Sequence, residues 1–313
     1  MLKGIKILPN NPKIDFMGLR FVTYIISSLL IFGSLGFFFF KGLSYGIDFK
    51  GGTIIQIRTP APADLGTMRS KLSALNLGNI ALQEFGSPQD ILIRVEQQKD
   101  TEQGQLKAIN LIKETLDTDT EYRRTETIGP TVGAEMVSNS IQAILWALVA
   151  MLIYIWLRFE WQFGLCAILA LVHDALAILG LYSIFGLEFN LTAIVAILIT
   201  IGYSINDTVV IYDRVRENLR KFKKMELGKV LNLSINETLG RTILTSSSTL
   251  LALFALYFWG GEVIANYSLP ILVGVAVGTY SSIFLAAPLL LSFNFKVRQD
   301  DDKAVEFQND MKA

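Results

Sequence analysis

Six runs of apolar residues, most of them close to 20 residues long, dominate this 313-residue chain. They are residues 21–40, 137–157, 163–184, 189–211, 242–258 and 263–291. About 20 apolar residues in a helix cross a hydrocarbon core of about 30 Å. Inside that core each backbone polar group must be bonded within the protein, which confines such segments to helices. The chain is therefore expected to make six membrane spans. Half its residues are hydrophobic (51%) and its mean hydropathy is +0.43, uncommon for a soluble chain of this length. The formal charge of zero says little about partners, because charge is segregated along the chain. The first run ends Phe37-Phe38-Phe39-Phe40-Lys41, without the small-residue site that follows a signal peptide, so it reads as a retained helix. One cysteine, Cys166, and one histidine, His173, exclude an internal disulfide, a thiolate metal site and a multi-histidine metal centre.

Between the first two runs, residues 41–136 have a soluble composition. Strands are predicted over 53–58, 80–85, 91–95 and 121–127, and helices over 62–75 and 102–116. The second helix carries Leu106, Ile109, Ile112 and Leu116 near helical spacing. The order β-α-β-β-α-β is the ferredoxin-like pattern, with two helices covering one face of a sheet.

Lysine and arginine set the orientation. With the N-terminus inside, the inner segments carry four (residues 1–20), one (Arg158), eight (212–241) and four (after 291), while the two short outer links carry none. The other 11 lie in residues 41–136, a domain long enough to be translocated whatever its charge. The expected organisation is a cytoplasmic arm (1–20), a first span (21–40), an outer domain (41–136), five spans over 137–292 with a basic cytoplasmic loop at 212–241, and a cytoplasmic tail (293–313). In a bacterium the outer side is the periplasm.

A carboxylate in lipid costs several kcal/mol unless something offsets it, and so marks a functional position by default. Asp207, beside Asn206, is such a residue. On its span Thr200, Ser204 and Asp207/Thr208 recur on one helical face. The next span opens Arg241-Thr242-Ile243-Leu244-Thr245-Ser246-Ser247-Ser248-Thr249, with Arg241, Thr245 and Ser248/Thr249 sharing a face. Counted from residues 189 and 259 at the outer ends of their helices, Asp207 and Arg241 each lie 18 residues in, at a depth of about 27 Å. An ion pair between them is one reading. The other is an interfacial aspartate and an arginine that snorkels to the headgroups. A proton carrier would use the pair because burial raises an aspartate's pKa and a nearby arginine lowers it. The hydroxyls of Thr242, Thr245 and Ser248 either hold water along such a path or serve helix packing.

His173-Asp174 sits midway along the third span, as a second proton relay or as a structural hydrogen-bonded pair. Asp213, Arg214, Arg216 and Glu217 read as a solvated helix end. Lys221, Lys223 and Lys224 extend it, either attracting anionic headgroups or only setting topology. Gly274 and Gly278 form a small-residue packing face in the sixth span. Gly46 to Gly52 lacks the Gly-Lys-Ser/Thr of a phosphate loop and reads as a tight turn into the first strand. No His-Glu-x-x-His or Gly-x-Ser-x-Gly site marks an intramembrane enzyme. Half of an exporter of lipids or small molecules would need a larger outer domain with an apolar pocket.

Gly46 to Gly52, Ser204 to Asn218 and Arg241 to Ser246, with six spans and an outer domain after the first, resemble the SecD/SecF family of protein-export membrane proteins, within the RND superfamily. The resemblance covers residues 20–292. It implies a six-helix RND-type half-bundle with an inserted α+β ferredoxin-like periplasmic domain in the bacterial inner membrane. It implies a SecF-type role, paired with SecD as a heterodimer and working with SecYEG, SecA and YajC on unfolded polypeptide, driven by the proton-motive force. It implies no cofactor, no enzymatic reaction and no nucleic acid. Asp207 and Arg241 are then the acid and its basic partner on a proton path, with Asp174, His173 and the polar residues Ser204, Asn206, Thr208, Thr242, Thr245 and Ser248 beside them. One six-span half supplies one side of such a path, so a second half must come from another chain.

Overall fold

The computed structural model describes residues 12–78, 80–85, 87–98, 101–116 and 119–293. Most of the expected tail, the first 11 residues of the arm and Gly86 of a predicted turn lie outside these. Helix α1 (Arg20–Lys41) leads into a strand β1 (Ser44–Tyr45) and a one-turn helix α2 (Ile47–Lys50). The outer domain follows as β2 (Gly52–Arg58), α3 (Leu65–Ser73), β3 (Ile80–Phe85), β4 (Ser87–Glu96), α4 (Thr101–Thr115) and β5 (Glu121–Ile128). Then come α5 (Pro130–Arg158), α6 (Trp161–Phe185), a strand β6 (Glu188–Phe189), α7 (Leu191–Lys221), α8 (Leu227–Trp259) and α9 (Gly261–Ser281). A π turn (Ser282–Ala286) and α10 (Ala287–Ser292) complete the last span. Six helical stretches are long and apolar enough to cross a membrane.

The four long strands order β3-β4-β2-β5, all antiparallel, which is the ferredoxin-like arrangement. Alternation along β2 and β4 sends Ile55, Ile57, Ile91, Ile93 and Val95 to one face, where Leu72 of α3 and Ala108 and Ile112 of α4 cover them. Asp64 starts α3 by accepting the amides of Gly66 and Thr67, the usual role of an N-cap aspartate.

In the bundle, close approach rests on small residues, as expected where lipid removes the hydrophobic drive for helices to associate. A Cβ at Gly180 of α6 would stand 2.1 Å from Ser34 Oγ of α1. A Cβ at Gly274 of α9 would stand 1.9 Å from Thr200 Oγ1 of α7, and one at Gly278 2.9 Å from Ser204 Cβ. The glycine face of the sixth span therefore packs on the polar stripe of the fourth.

The segment 212–241, expected as a basic link that starts with a charge-rich helix end, is helical except for residues 222–226, because α7 and α8 run on beyond the apolar stretches. At 1.5 Å per residue, 31 and 33 residues make helices of about 46 and 50 Å, longer than a hydrocarbon core of about 30 Å. Side-chain bonds hold the projecting ends together. Arg214 pairs with Glu217 at 2.5 Å and across the helices with Glu237 at 2.7 Å. The buried Asn218 donates to Ser234 at 3.0 Å and to Glu237 at 2.7 Å. Arg158 at the end of α5 joins Asp213 at 2.5 Å. The chain before α1 is pinned here too: Asn232 and Asn236 of α8 accept the amides of Met17 and Ile14 and donate to Asp15 and the Ile14 carbonyl.

Candidate functional site

Asp207 is buried on α7, and its neighbour across the helix interface is a serine. Ser246 of α8 lies 3.4 Å from Asp207 Oδ2 and 2.7 Å from Thr279 Oγ1 of α9. Thr279 in turn donates to the Val275 carbonyl at 2.8 Å, and the Tyr203 hydroxyl reaches Ser246 at 3.5 Å. A serine hydroxyl has one proton and two lone pairs. When Asp207 is ionised, Ser246 turns its proton to the carboxylate and accepts from Thr279, which releases the Val275 carbonyl. When Asp207 is protonated, the acid donates to Ser246, Ser246 to Thr279 and Thr279 to Val275. The whole row of hydroxyls thus reverses with the charge state of one carboxyl, across three helices.

Of the two readings of Asp207 and Arg241, the direct ion pair is not made among the described residues, and the contact of the acid is with Ser246. Arg241 is exposed, and among the described residues it makes no ion pair with Asp207. The reason is the rotation of α8, which turns Thr238, Thr242 and Ser246 inward at intervals of four. Arg241 and Thr245 sit one position off that face and Ser248 two. Thr245 donates to the Arg241 carbonyl at 3.0 Å and Ser248 to the Thr245 carbonyl at 2.8 Å, so both serve their own helix. Thr242 does face inward, and its hydroxyl oxygen is buried without a partner.

The second buried carboxylate collects donors from three helices. Asp174 Oδ2 accepts from Ser204 of α7 at 2.6 Å and from Ser281 of α9 at 2.8 Å, while Oδ1 lies 2.9 Å from His173 Nδ1. His173 and Asp174 are both fully buried, and among the described residues His173 Nε2 has no hydrogen-bond partner. Thr208 continues the row by donating to Ser282 at 3.2 Å, and Ser282 donates to the Ser204 and Gly278 carbonyls. The π turn begins at Ser282, and the wider turn is a common device where a helix must aim side chains inward. Of the expected residues, Ser204 and Thr208 thus belong to the Asp174 cluster. Asn206 turns away from both carboxylates, exposed beside Ala147, Met151 and Tyr154 of α5.

Sequence reasoning missed Ser246, Thr279, Ser281 and Ser282. The run Ser246-Ser247-Ser248 and the pair Ser281-Ser282 were visible as polar interruptions in apolar helices. Their facing direction was not.

Comparison with known proteins gives concordant matches. Residues 108–296 match the family described as protein export membrane protein SecD/SecF, C-terminal, and residues 36–59 match the SecD/SecF GG motif. The chain is 47% identical over 296 residues to a protein translocase subunit SecF of Rickettsia bellii, covering 92% of this chain and 96% of that one. A SecF subunit of Rickettsia akari is 45% identical over 309 residues, covering 96% and 98%. Among solved structures, SecDF from Thermus, described as a translocon-associated membrane protein, superposes with a TM-score of 0.80 at 34% identity. That match covers 92% of this chain and 40% of the Thermus chain, so this chain spans well under half the length of that structure.

Proposed function

Because the chain belongs to the SecD/SecF family of protein-export membrane proteins, we propose that this multi-pass membrane protein acts as the SecF-type half of a proton-driven export complex, with SecD as the other half. It would work in the bacterial inner membrane with SecYEG, SecA and YajC, drawing on the proton-motive force to assist the passage of unfolded polypeptide. Both termini are cytoplasmic and residues 41–136 periplasmic in this reading, as the distribution of Lys and Arg favours.

The observation that carries the reading is Asp207, a buried carboxylate in a membrane helix whose hydrogen-bond row spans α7, α8 and α9. An aspartate so placed is costly as an anion and is held ready to take a proton when its surroundings change. Arg241 acts as the basic partner through a change in helix packing, since in this state it is exposed and apart from the acid. Asp174 and His173 form the neighbouring polar cluster on the same path. The need for SecD has its own support. Arg241, Ser247 and Ser248 are exposed on α8. Polar groups at such positions in a membrane face a partner or a water-filled gap rather than lipid.

The test is export of a secreted reporter in cells carrying Asp207→Asn, with protein level and SecD co-purification measured in parallel. The expected result is a loss of export at normal level and pairing. Unchanged export would remove the proton-path role of Asp207.

A further inference from the structure

A charge change at Asp207 can reach the domain of residues 41–136 only through the helix that carries it, α7. The outer end of α7 lies 16 residues from Asp207, at Leu191. Three features converge there. First, β1 pairs in parallel with β6, Ser44 opposite Glu188 and Tyr45 opposite Phe189, and the Gly46 amide donates to the Phe189 carbonyl at 2.9 Å. Second, Asp48 of α2 accepts the backbone amide of Leu191 at 3.0 Å, joining Asn190 in capping the first turn of α7. Third, Arg94, near the end of β4 and opposite Ile54 of β2, makes an ion pair with Glu188, with each side chain about three-quarters buried. A Cβ at Gly46 would meet Glu188 Oε1 at 2.7 Å and Asn190 Cβ at 3.0 Å, so the two segments cross closely there. Beneath the pair, the rings of Tyr45, Phe49, Phe189 and Tyr182 pack edge-on or tilted at 5.4–6.3 Å.

Arg94 is set apart by its position. Gly51 and Gly52 have φ of 75° and 137° and give the chain its turn into β2, and residues around Gly129 lead it back into α5. Those are covalent connections at the base. Among the described residues, Arg94–Glu188 is the one ion pair that ties the body of the sheet to the bundle. It sits on β4 two residues from Glu96, the sheet partner of Gly52, and so fastens the base of the sheet beside the glycine turn to the bundle.

We propose that Arg94, Glu188 and Asp48 form the joint through which the outer domain and the proton-carrying helix α7 move together. They are positioning residues, acting on Asp207 through the first turn of α7 and the link that separates it from α6. The proposal rests on the reading of Asp207 as the proton carrier. Burial raises the pKa of Glu188, its desolvation outweighing the attraction of Arg94, with Asp48 adding to the rise. Breaking a largely buried pair on one side leaves a buried charge without its partner, so the two segments that it joins are held to move together.

The test uses the full-length protein with SecD. Arg94→Ala is expected to lower reporter export at normal protein level and to speed hydrogen exchange of the Leu191–Ala193 amides about tenfold, as loss of about one hydrogen bond's worth of local protection implies. The swapped pair Arg94→Glu with Glu188→Arg is expected to restore both. Faster exchange with unchanged export overturns the proposal, since the joint is then only structural. A fall in export with unchanged exchange overturns it too, because the effect does not run through α7. Asp207→Asn measured alongside reports on the proton reading separately: normal export there removes that reading, while the exchange data still decide whether Arg94 holds the end of α7.

Discussion

Among individual residues, the division of labour between the hydroxyls of α8 is the sharpest consequence of the geometry. Ser246 touches Asp207 and Thr279, while Thr245 and Ser248 bond carbonyls of their own helix. Ser246→Ala removes the link between the acid and the row of hydroxyls. It should lower proton-driven export about fivefold, the effect of losing a hydrogen bond of about 1 kcal/mol. Thr245→Ala and Ser248→Ala should stay near the parent rate in the same assay. Equal losses in all three would mean that the face of α8 toward Asp207 is different in the working complex. Asp174 accepts from Ser204 and Ser281 and lies beside His173, so its hydrogen bonds link α6, α7 and α9.

For the helices as elements, α7 and α9 meet through glycines rather than through large apolar side chains. A methyl group at position 274 has no space, since Thr200 Oγ1 would be 1.9 Å away. Gly274→Ala is expected to destabilise the bundle by about 1–3 kcal/mol, the usual cost of overpacking, seen as a lower melting temperature of the purified protein. Adding Thr200→Ala should recover part of the loss, because it removes two of the three atoms nearest the new methyl. No recovery would locate the strain elsewhere. The same contact sets the polar stripe of α7 against α9, so a shift of α9 on these glycines moves the surroundings of both buried carboxylates.

In the molecule as a whole, the outer domain and the projecting ends of α7 and α8 lie at opposite ends of the spans. If the positive-inside assignment holds, a membrane-impermeant maleimide should label Ser73→Cys in intact spheroplasts, and Lys224→Cys only after permeabilisation. Both positions are exposed, and the native Cys166 is buried and should contribute little background. The reverse pattern would invert the topology and place the domain in the cytoplasm. The outer domain is tied to the bundle at its base by β1, α2 and Arg94, and the chain before α1 is pinned to α8 by Asn232 and Asn236. Each end of the spans thus carries its own fastening.

Length and period are local properties of a sequence, and whatever depends on them was readable without coordinates. Apolar runs of membrane length marked six helices. Alternation and the order of elements marked the ferredoxin-like sheet, with β2, β3 and β5 within a residue of their expected limits. The cost of a carboxylate in lipid singled out Asp207 and Asp174. What the tertiary structure decided is rotation about helix axes and contact between distant residues, neither of which a single helix encodes. The choice of Ser246 over Arg241 as the neighbour of Asp207 is a difference of a little over one helical turn. The partners of Asp174 come from 30 and 107 residues away. The basic segment 212–241 was read as a water-facing link with a helix end at its start, and the structure adds that its side chains pair across and along two helices. Arg94 was one strand arginine among several until the fold set it against Glu188, 94 residues later in the chain.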